Sequence, residues 1–150
     1  MTMPPTKIKR ILLVLTDELM LQMLENQVFA PTAYQVTTAR DCETARRAMR
    51  TLRPDLLILG ADLPDGDYLE LAREMLALQP TLPILLYTGD QQHTLSRDAI
   101  RLGLVDWLVP PLKINDVRQA VERGLERSRH WAEWLRLASA RYTGPLLKQV

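Results

Sequence analysis

Apolar residues gather in five short runs, separated by longer stretches in which they recur every three or four positions. The runs cover residues 11–15, 34–38, 56–59, 84–88 and 107–109. Most are continuous rather than alternating in polarity, which suits strands buried on both faces of a parallel sheet. The longer stretches predict helices. Residues 18–27 follow Asp17 and residues 42–52 follow Asp41, both good N-caps. The second of these stops before Arg53-Pro54, since proline disfavours helix in the residue before it. Residues 68–78 follow Asp67 and place Leu69, Ala72, Leu76 and Ala77 near one face. Residues 95–102 end at Gly103, a natural C-terminal cap, and the last stretch runs from Asn115 to about Tyr142.

Five strands, each followed by a helix, give an α/β fold. Right-handed crossovers place helices on both faces of the sheet. The length fits a flavodoxin-like, doubly wound, five-stranded parallel sheet of order 2-1-3-4-5 with an extended C-terminal helix. Such a fold places its site at the C-terminal ends of its strands, which here include the turn cluster of Asp62, Asp65 and Asp67.

Composition narrows the classes. At 150 residues the chain is one domain by length, and it needs neither disulfides nor metal to fold. Net charge is +1, so no global field favours nucleic acid or anionic lipid. Cys42 is the single cysteine, which fits a reducing, cytoplasmic setting. Residues 1–9 lack the apolar segment of a signal peptide, and no apolar run approaches the ~20 residues that span a bilayer. No nucleic acid, membrane, metal or cofactor is expected.

Residues across the chain resemble a known family. Ile11-Leu12-Leu13-Val14 opens like the first strand of a two-component receiver domain. Arg53-Pro54-Asp55-Leu56-Leu57-Ile58-Leu59, then Leu63-Pro64 and Leu69-Glu70-Leu71, is similar to the third strand and its loop. Pro83-Ile84-Leu85-Leu86-Tyr87-Thr88 is similar to the fourth strand with its signalling hydroxyl. Gly103, then Asp106-Trp107-Leu108 and Pro111, resembles the fifth strand and the proline after it. The order and spacing of these motifs carry the resemblance over residues 8–127.

The resemblance implies a chemistry whose residues are then missing. The family uses an acidic pair to hold Mg²⁺, an aspartate to accept the phosphoryl group, a lysine to neutralise it and a Ser or Thr to read it. Here Leu15 and Thr16 stand at the acidic pair, Gly60 at the acceptor and Pro110 at the lysine. Only Thr88 remains, with Trp107 where the family carries a switching Tyr or Phe. Phosphoryl transfer depends on positioning and charge neutralisation, and three of its four parts are absent. The resemblance thus implies a degenerate pseudo-receiver, with no enzymatic activity in this segment. It also implies a cis peptide bond before Pro111.

Other residues read as structural. Asp17, Asp62, Asp65 and Asp67 are helix caps and turn residues, with a cation site as the rival. Cys42 is a packing residue at a helix start rather than a reactive thiol. His93 is a loop residue, and His130 lacks the acidic neighbour typical of kinase histidines. Arg46, Arg47, Arg50 and Arg53 form a solvated face, and the last helix interleaves Arg with Glu.

In the last helix, Ile114, Val117, Val121, Gly124, Ser128, Trp131, Leu135, Ala138 and Tyr142 recur at heptad spacing over about four repeats. Its first half packs on the sheet, whereas Trp131, Leu135, Ala138 and Tyr142 have no sheet left to cover. They are expected to form a parallel homodimer contact. The division is a pseudo-receiver over 7–127, a helix extension over 128–142 and the start of a linker over 143–150. The expected function is a non-phosphorylatable signalling module of a two-component phosphorelay, working through protein binding with a sensor kinase or a fused output domain. One alternative is the N-terminal regulatory part of a longer enzyme, such as a hybrid sensor histidine kinase or nucleotide cyclase. Another is a stand-alone adaptor that competes with a true receiver for its kinase.

Overall fold

A computed structural model describes residues 8–88, 101–102 and 106–141, with the backbone alone for 139–141. Strands β1 (Arg10–Val14), β2 (Gln35–Ala39), β3 (Leu56–Gly60), β4 (Ile84–Tyr87) and β5 (Asp106–Leu108) form one parallel sheet of order β2-β1-β3-β4-β5. Leu12, Leu13, Leu57, Ile58 and Leu85 are fully buried because β1, β3 and β4 are covered on both faces. The strand ends differ from the apolar runs by one residue at β1, β2, β3, β4 and β5. Leu15, Thr88 and Val109 leave the ladder although each continues its run.

Helix α1 (Glu18–Met23) continues as a π-helical turn (Leu24–Phe29), two residues beyond the expected end. The wider turn, closed by Ala30 N–H to Glu25 O at 2.7 Å, turns both Val28 and the adjacent Phe29 inward. Helices α2 (Cys42–Leu52) and α3 (Tyr68–Leu78) have the bounds their caps predict. The inward face of α3 is a correction. Tyr68, Leu71, Ala72 and Met75 are buried, while Leu69 and Leu76 are half-buried and Ala77 is exposed. The turn is set by the Asp67 cap, whose carboxylate accepts from Leu69 N–H at 3.0 Å and fixes where the helix starts. The helix expected over 95–102 lies almost wholly outside the described residues, as do Gly103, His93 and Tyr142. The Pro110–Pro111 peptide bond is cis, as the family pattern implies.

The last helix, α4 (Ile114–Arg141), divides into two halves. Val117, Ala120 and Val121 are buried against the sheet. Arg118 donates to Gln27 O at 3.0 Å and Val28 O at 3.2 Å, tying α4 to the end of the π turn. Gly124 lies close against the body. A Cβ there would lie 3.0 Å from Leu56 Cδ1 and 3.4 Å from Pro83 Cβ. One turn later Ser128 Oγ donates to Thr81 O at 2.7 Å. From Arg129 through Leu137 every side chain is exposed.

The close approach at Gly124 yields a testable sign. In a free helix Gly→Ala gains about 1 kcal/mol, but overpacking a filled contact costs about 1–3 kcal/mol. Gly124→Ala is therefore expected to leave the unfolding midpoint in urea unchanged or lower it. A full propensity gain would mean that α4 does not press on Leu56 and Pro83.

Candidate functional site

The C-terminal ends of β1, β3 and β4 meet at Leu15, Gly60 and Tyr87. Val14 pairs with Leu59 and Gly60 pairs with Tyr87 across the sheet. Leu15 comes directly after β1. Its N–H donates to Ala39 O at 3.0 Å, which holds it in line with the strand and turns its side chain into the core, where it is 1% exposed. There it covers Gly60: a Cβ on residue 60 would stand 3.0 Å from Leu15 Cδ2 and 3.2 Å from Val14 O. A side chain at 60 would have to displace a buried leucine, and a carboxylate would also meet apolar surroundings. Glycine fits here because its only substituent is hydrogen.

Thr16 lies outside that plug, exposed. Its hydroxyl donates to Asp62 O at 2.9 Å, and Arg40 Nη2 donates to Thr16 O at 3.5 Å, so the residue links the loops after β1, β2 and β3. Tyr87 is a residue the sequence pattern alone does not single out. It is buried beside Leu15 in the same apolar cluster. Burial, and then the carboxylates of Asp17 and Asp62, push its phenol above its usual range. The phenol therefore stays neutral and can donate a hydrogen bond toward that acidic side.

The acidic residues mostly serve as caps. Asp17 accepts from Met20 N–H at 3.2 Å, and Asp41 accepts from Thr44 N–H at 2.7 Å. Asp65 reaches across from the β3–α3 loop and accepts from Cys42 N–H at 2.7 Å and Glu43 N–H at 3.2 Å. Hydrogen bonds from the Thr44 side chain and backbone to Asp41, and from the Cys42 and Glu43 backbone to Asp65, hold these two carboxyls below the usual carboxylate range. Gly66 is next in the chain, and a Cβ there would meet Cys42 Sγ at 3.1 Å. Burial and the Asp65 carboxylate push the Cys42 thiol up to about 11, which leaves it protonated and unreactive near neutrality. Among the described residues, no group of three or more His, Cys, Asp or Glu is arranged to hold a metal ion.

The remaining site residues lie on the β4–β5 side. Thr88 is 3% exposed, and its N–H donates to Leu108 O at 3.2 Å. Trp107 sits on the edge strand β5 and is 54% exposed. Its backbone N–H donates to the Asp106 carboxylate at 2.8 Å, which also pairs with Arg123 of α4 at 3.1 Å. Pro110 and Pro111 form the cis turn after the strand. Gly60, Leu15 and Tyr87 thus share one cluster, whereas Trp131, Leu135 and Ala138 lie apart on the exposed half of α4.

This order of five parallel strands belongs to a known class of protein. The family model of the response regulator receiver domain matches residues 11–122, and the chain belongs to that family. Among solved structures, it is similar to the signal receiver domain of an HD domain-containing protein from Pseudomonas fluorescens Pf-5. The identity is 30% and the TM-score 0.76, over 83% of this chain and 99% of that one. It is also similar to NtrX from Brucella abortus in complex with ADP, at 26% identity and a TM-score of 0.78, over 87% of this chain and 30% of NtrX. Among curated relatives, the alkaline phosphatase synthesis transcriptional regulatory protein PhoP of Bacillus subtilis is 29% identical over 120 residues, 80% of this chain and 50% of PhoP. The chain spans 26% to 50% of the length of the first curated relatives it matches.

The Leu15–Gly60 contact has a measurable signature. Gly60→Ala is expected to lower unfolding stability by about 1–3 kcal/mol through overpacking. In a Leu15→Ala background the same substitution should cost markedly less, because the opposing methyl groups are gone. Equal costs in both backgrounds, by urea denaturation, would show that the two positions are not in contact.

Proposed function

We propose that this receiver domain accepts no phosphoryl group and signals through protein contacts alone. The observation that carries the reading is Leu15 packed on Gly60, where the family chemistry needs a carboxylate pair and a nucleophile. Thr16, the other position of the pair, is occupied with loop contacts. Pro110, at the lysine position, carries no charge to neutralise a phosphoryl dianion. Thr88 and Trp107 keep the positions of the switch pair. In this reading they form part of a binding face rather than the readout of a phosphate.

In this proposal residues 7–127 form the receiver body, 128–142 a dimer or signalling helix, and 143–150 the start of a linker. The module works in the cytoplasm as a homodimer through the end of α4, joined by Trp131, Leu135, Ala138 and Tyr142. It contacts a sensor kinase or a fused output domain, and uses neither nucleic acid, membrane nor cofactor. Among the described residues no helix is long and apolar enough to cross a membrane.

A second reading makes the segment the regulatory part of a longer signalling enzyme. It is favoured by the likeness to the receiver of an HD domain-containing protein, and by the fraction of its relatives that the chain spans. The receiver would be equally silent there.

Incubation with acetyl phosphate and Mg²⁺ is expected to leave the intact mass unchanged, and a calorimetric titration with Mg²⁺ should show no micromolar binding. A phosphoryl adduct, or a saturable Mg²⁺ site lost in Asp17→Ala, would contradict the proposal.

A further inference from the structure

The outer side of the Leu15–Gly60 junction carries oxygens that lack a donor. Asp17 is two residues past Leu15 and exposed. Its Oδ1 accepts from Met20 N–H at 3.2 Å, and Oδ2 accepts nothing among the described residues. Asp62 is two residues past Gly60 and also exposed. The Thr16 hydroxyl donates to its backbone O at 2.9 Å, which draws the two loops together. The Asp62 carboxylate itself accepts no hydrogen bond among the described residues.

Tyr87 adds a third group. Gly60 pairs with Tyr87 across the sheet, and Ala61 N–H donates to Tyr87 O at 2.9 Å, which sets Asp62, the next residue, close to Tyr87. Tyr87 is only 8% exposed, and its hydroxyl has no hydrogen-bond partner among the described residues. Burying a polar group without one is costly, and native structures rarely do it. After burial, it is the charge of Asp17 and Asp62 that raises the phenol, so the hydroxyl lies on the side of these two carboxylates. A buried hydroxyl without a partner, beside two carboxylates with free oxygens, marks a place for a donor.

The chemistry of these groups selects the ligand. The chain does not neutralise them: Arg40 reaches this corner but donates to Thr16 O at 3.5 Å, and among the described residues neither Asp17 nor Asp62 is in an ion pair. A hard divalent ion needs about six oxygens in a close shell. Here one oxygen of Asp17 is already spent on the helix cap, and no group of three or more His, Cys, Asp or Glu among the described residues is arranged to hold a metal. A guanidinium fits better. It is planar, weakly hydrated and donor-only, with its N–H groups in a fixed fork that matches carboxylates. A lysine ammonium is more strongly hydrated and gives up more on leaving water. Leu19, two residues past Asp17 and 78% exposed, offers an apolar surface for the aliphatic stem of an arginine.

We propose that Asp17, Asp62 and the Tyr87 hydroxyl form a docking point for an arginine side chain of a protein partner. This rests on the reading above that the domain signals through protein contacts, and it names the chemistry the partner brings. The two carboxylates and the phenol oxygen accept from the guanidinium, which satisfies the buried hydroxyl and neutralises the acidic pair together. Leu15 fills the junction beneath, so the guanidinium stays on its outer side.

The test titrates N-acetyl-arginine methylamide into the whole chain, followed by backbone amide NMR, beside its citrulline counterpart of the same shape without the charge. The arginine probe is expected to bind saturably with an affinity on the order of millimolar, as a few charge-assisted hydrogen bonds provide. It should shift the amides of Thr16, Asp17 and Asp62, and the citrulline probe should not. Asp62→Asn and Asp17→Asn should each weaken binding about fivefold or more. Asparagine still caps α1, so the second variant keeps its fold. Tyr87→Phe keeps the packed ring and removes only the oxygen, and should weaken binding about threefold. Equal shifts from both probes, or arginine binding that Asp62→Asn leaves unchanged, overturn the site. Acetyl phosphate with Mg²⁺ is run on the same sample. A phosphoryl adduct there overturns the silent-receiver reading and this inference together, whereas neither adduct nor arginine binding overturns this inference alone.

Discussion

Leu15 has the most consequential neighbour in this fold. A parallel sheet brings the ends of β1 and β3 side by side, so the residue after β1 decides which side chain can stand at the end of β3. A charged residue after β1 would need solvent or a cation and would hold this junction open. Leucine there gains by burial instead, on the order of 1.5–3 kcal/mol for a fully buried side chain. It can do so only if residue 60 gives way. Gly60 and Leu15 are therefore one structural solution, and Tyr87 belongs to the same buried cluster as Leu15. Apolar side chains thus fill the junction of these strand ends.

That closure leaves the scaffold intact. The sheet order is that of the receiver fold, and Asp17, Asp41 and Asp67 cap its first three helices. Asp65 adds a cross-link of its own by capping α2 from the neighbouring loop, and Gly66 lets that loop approach Cys42. The loops after β1, β2 and β3 are drawn together by Thr16, Asp65 and Arg40. The β4–β5 side differs, because Trp107 is half exposed and Asp106 ties that strand to α4 through Arg123.

Much of this is legible in the sequence. The buried strands read as continuous apolar runs, and α2 and α3 start where aspartate caps predict. The surrounding motifs are what single out positions 15, 16, 60 and 110 in the sequence. Other features depend on contacts that no local pattern carries. The inward face of α3 lies about one position from where its apolar pattern puts it, since Leu76 and Ala77 look as apolar as Met75 but point past the sheet. The π turn arises from two adjacent residues, Val28 and Phe29, both reaching the core. Leu15 acts as a plug only because its side chain turns inward at the strand end, which its neighbours in sequence do not dictate. The packing of α4 on the body runs through Gly124 and Ser128, whose partners Leu56, Pro83 and Thr81 lie far away in sequence.

The central claim is that apolar packing has closed the phosphoryl pocket. Its most direct test is a backbone amide NMR titration with Mg²⁺ and beryllofluoride, a phosphoryl mimic that binds where a carboxylate and a cation hold it. The account predicts that the amides of Leu15, Gly60, Ala61 and Thr88 keep their positions throughout. Saturable shifts centred on those four residues would contradict it.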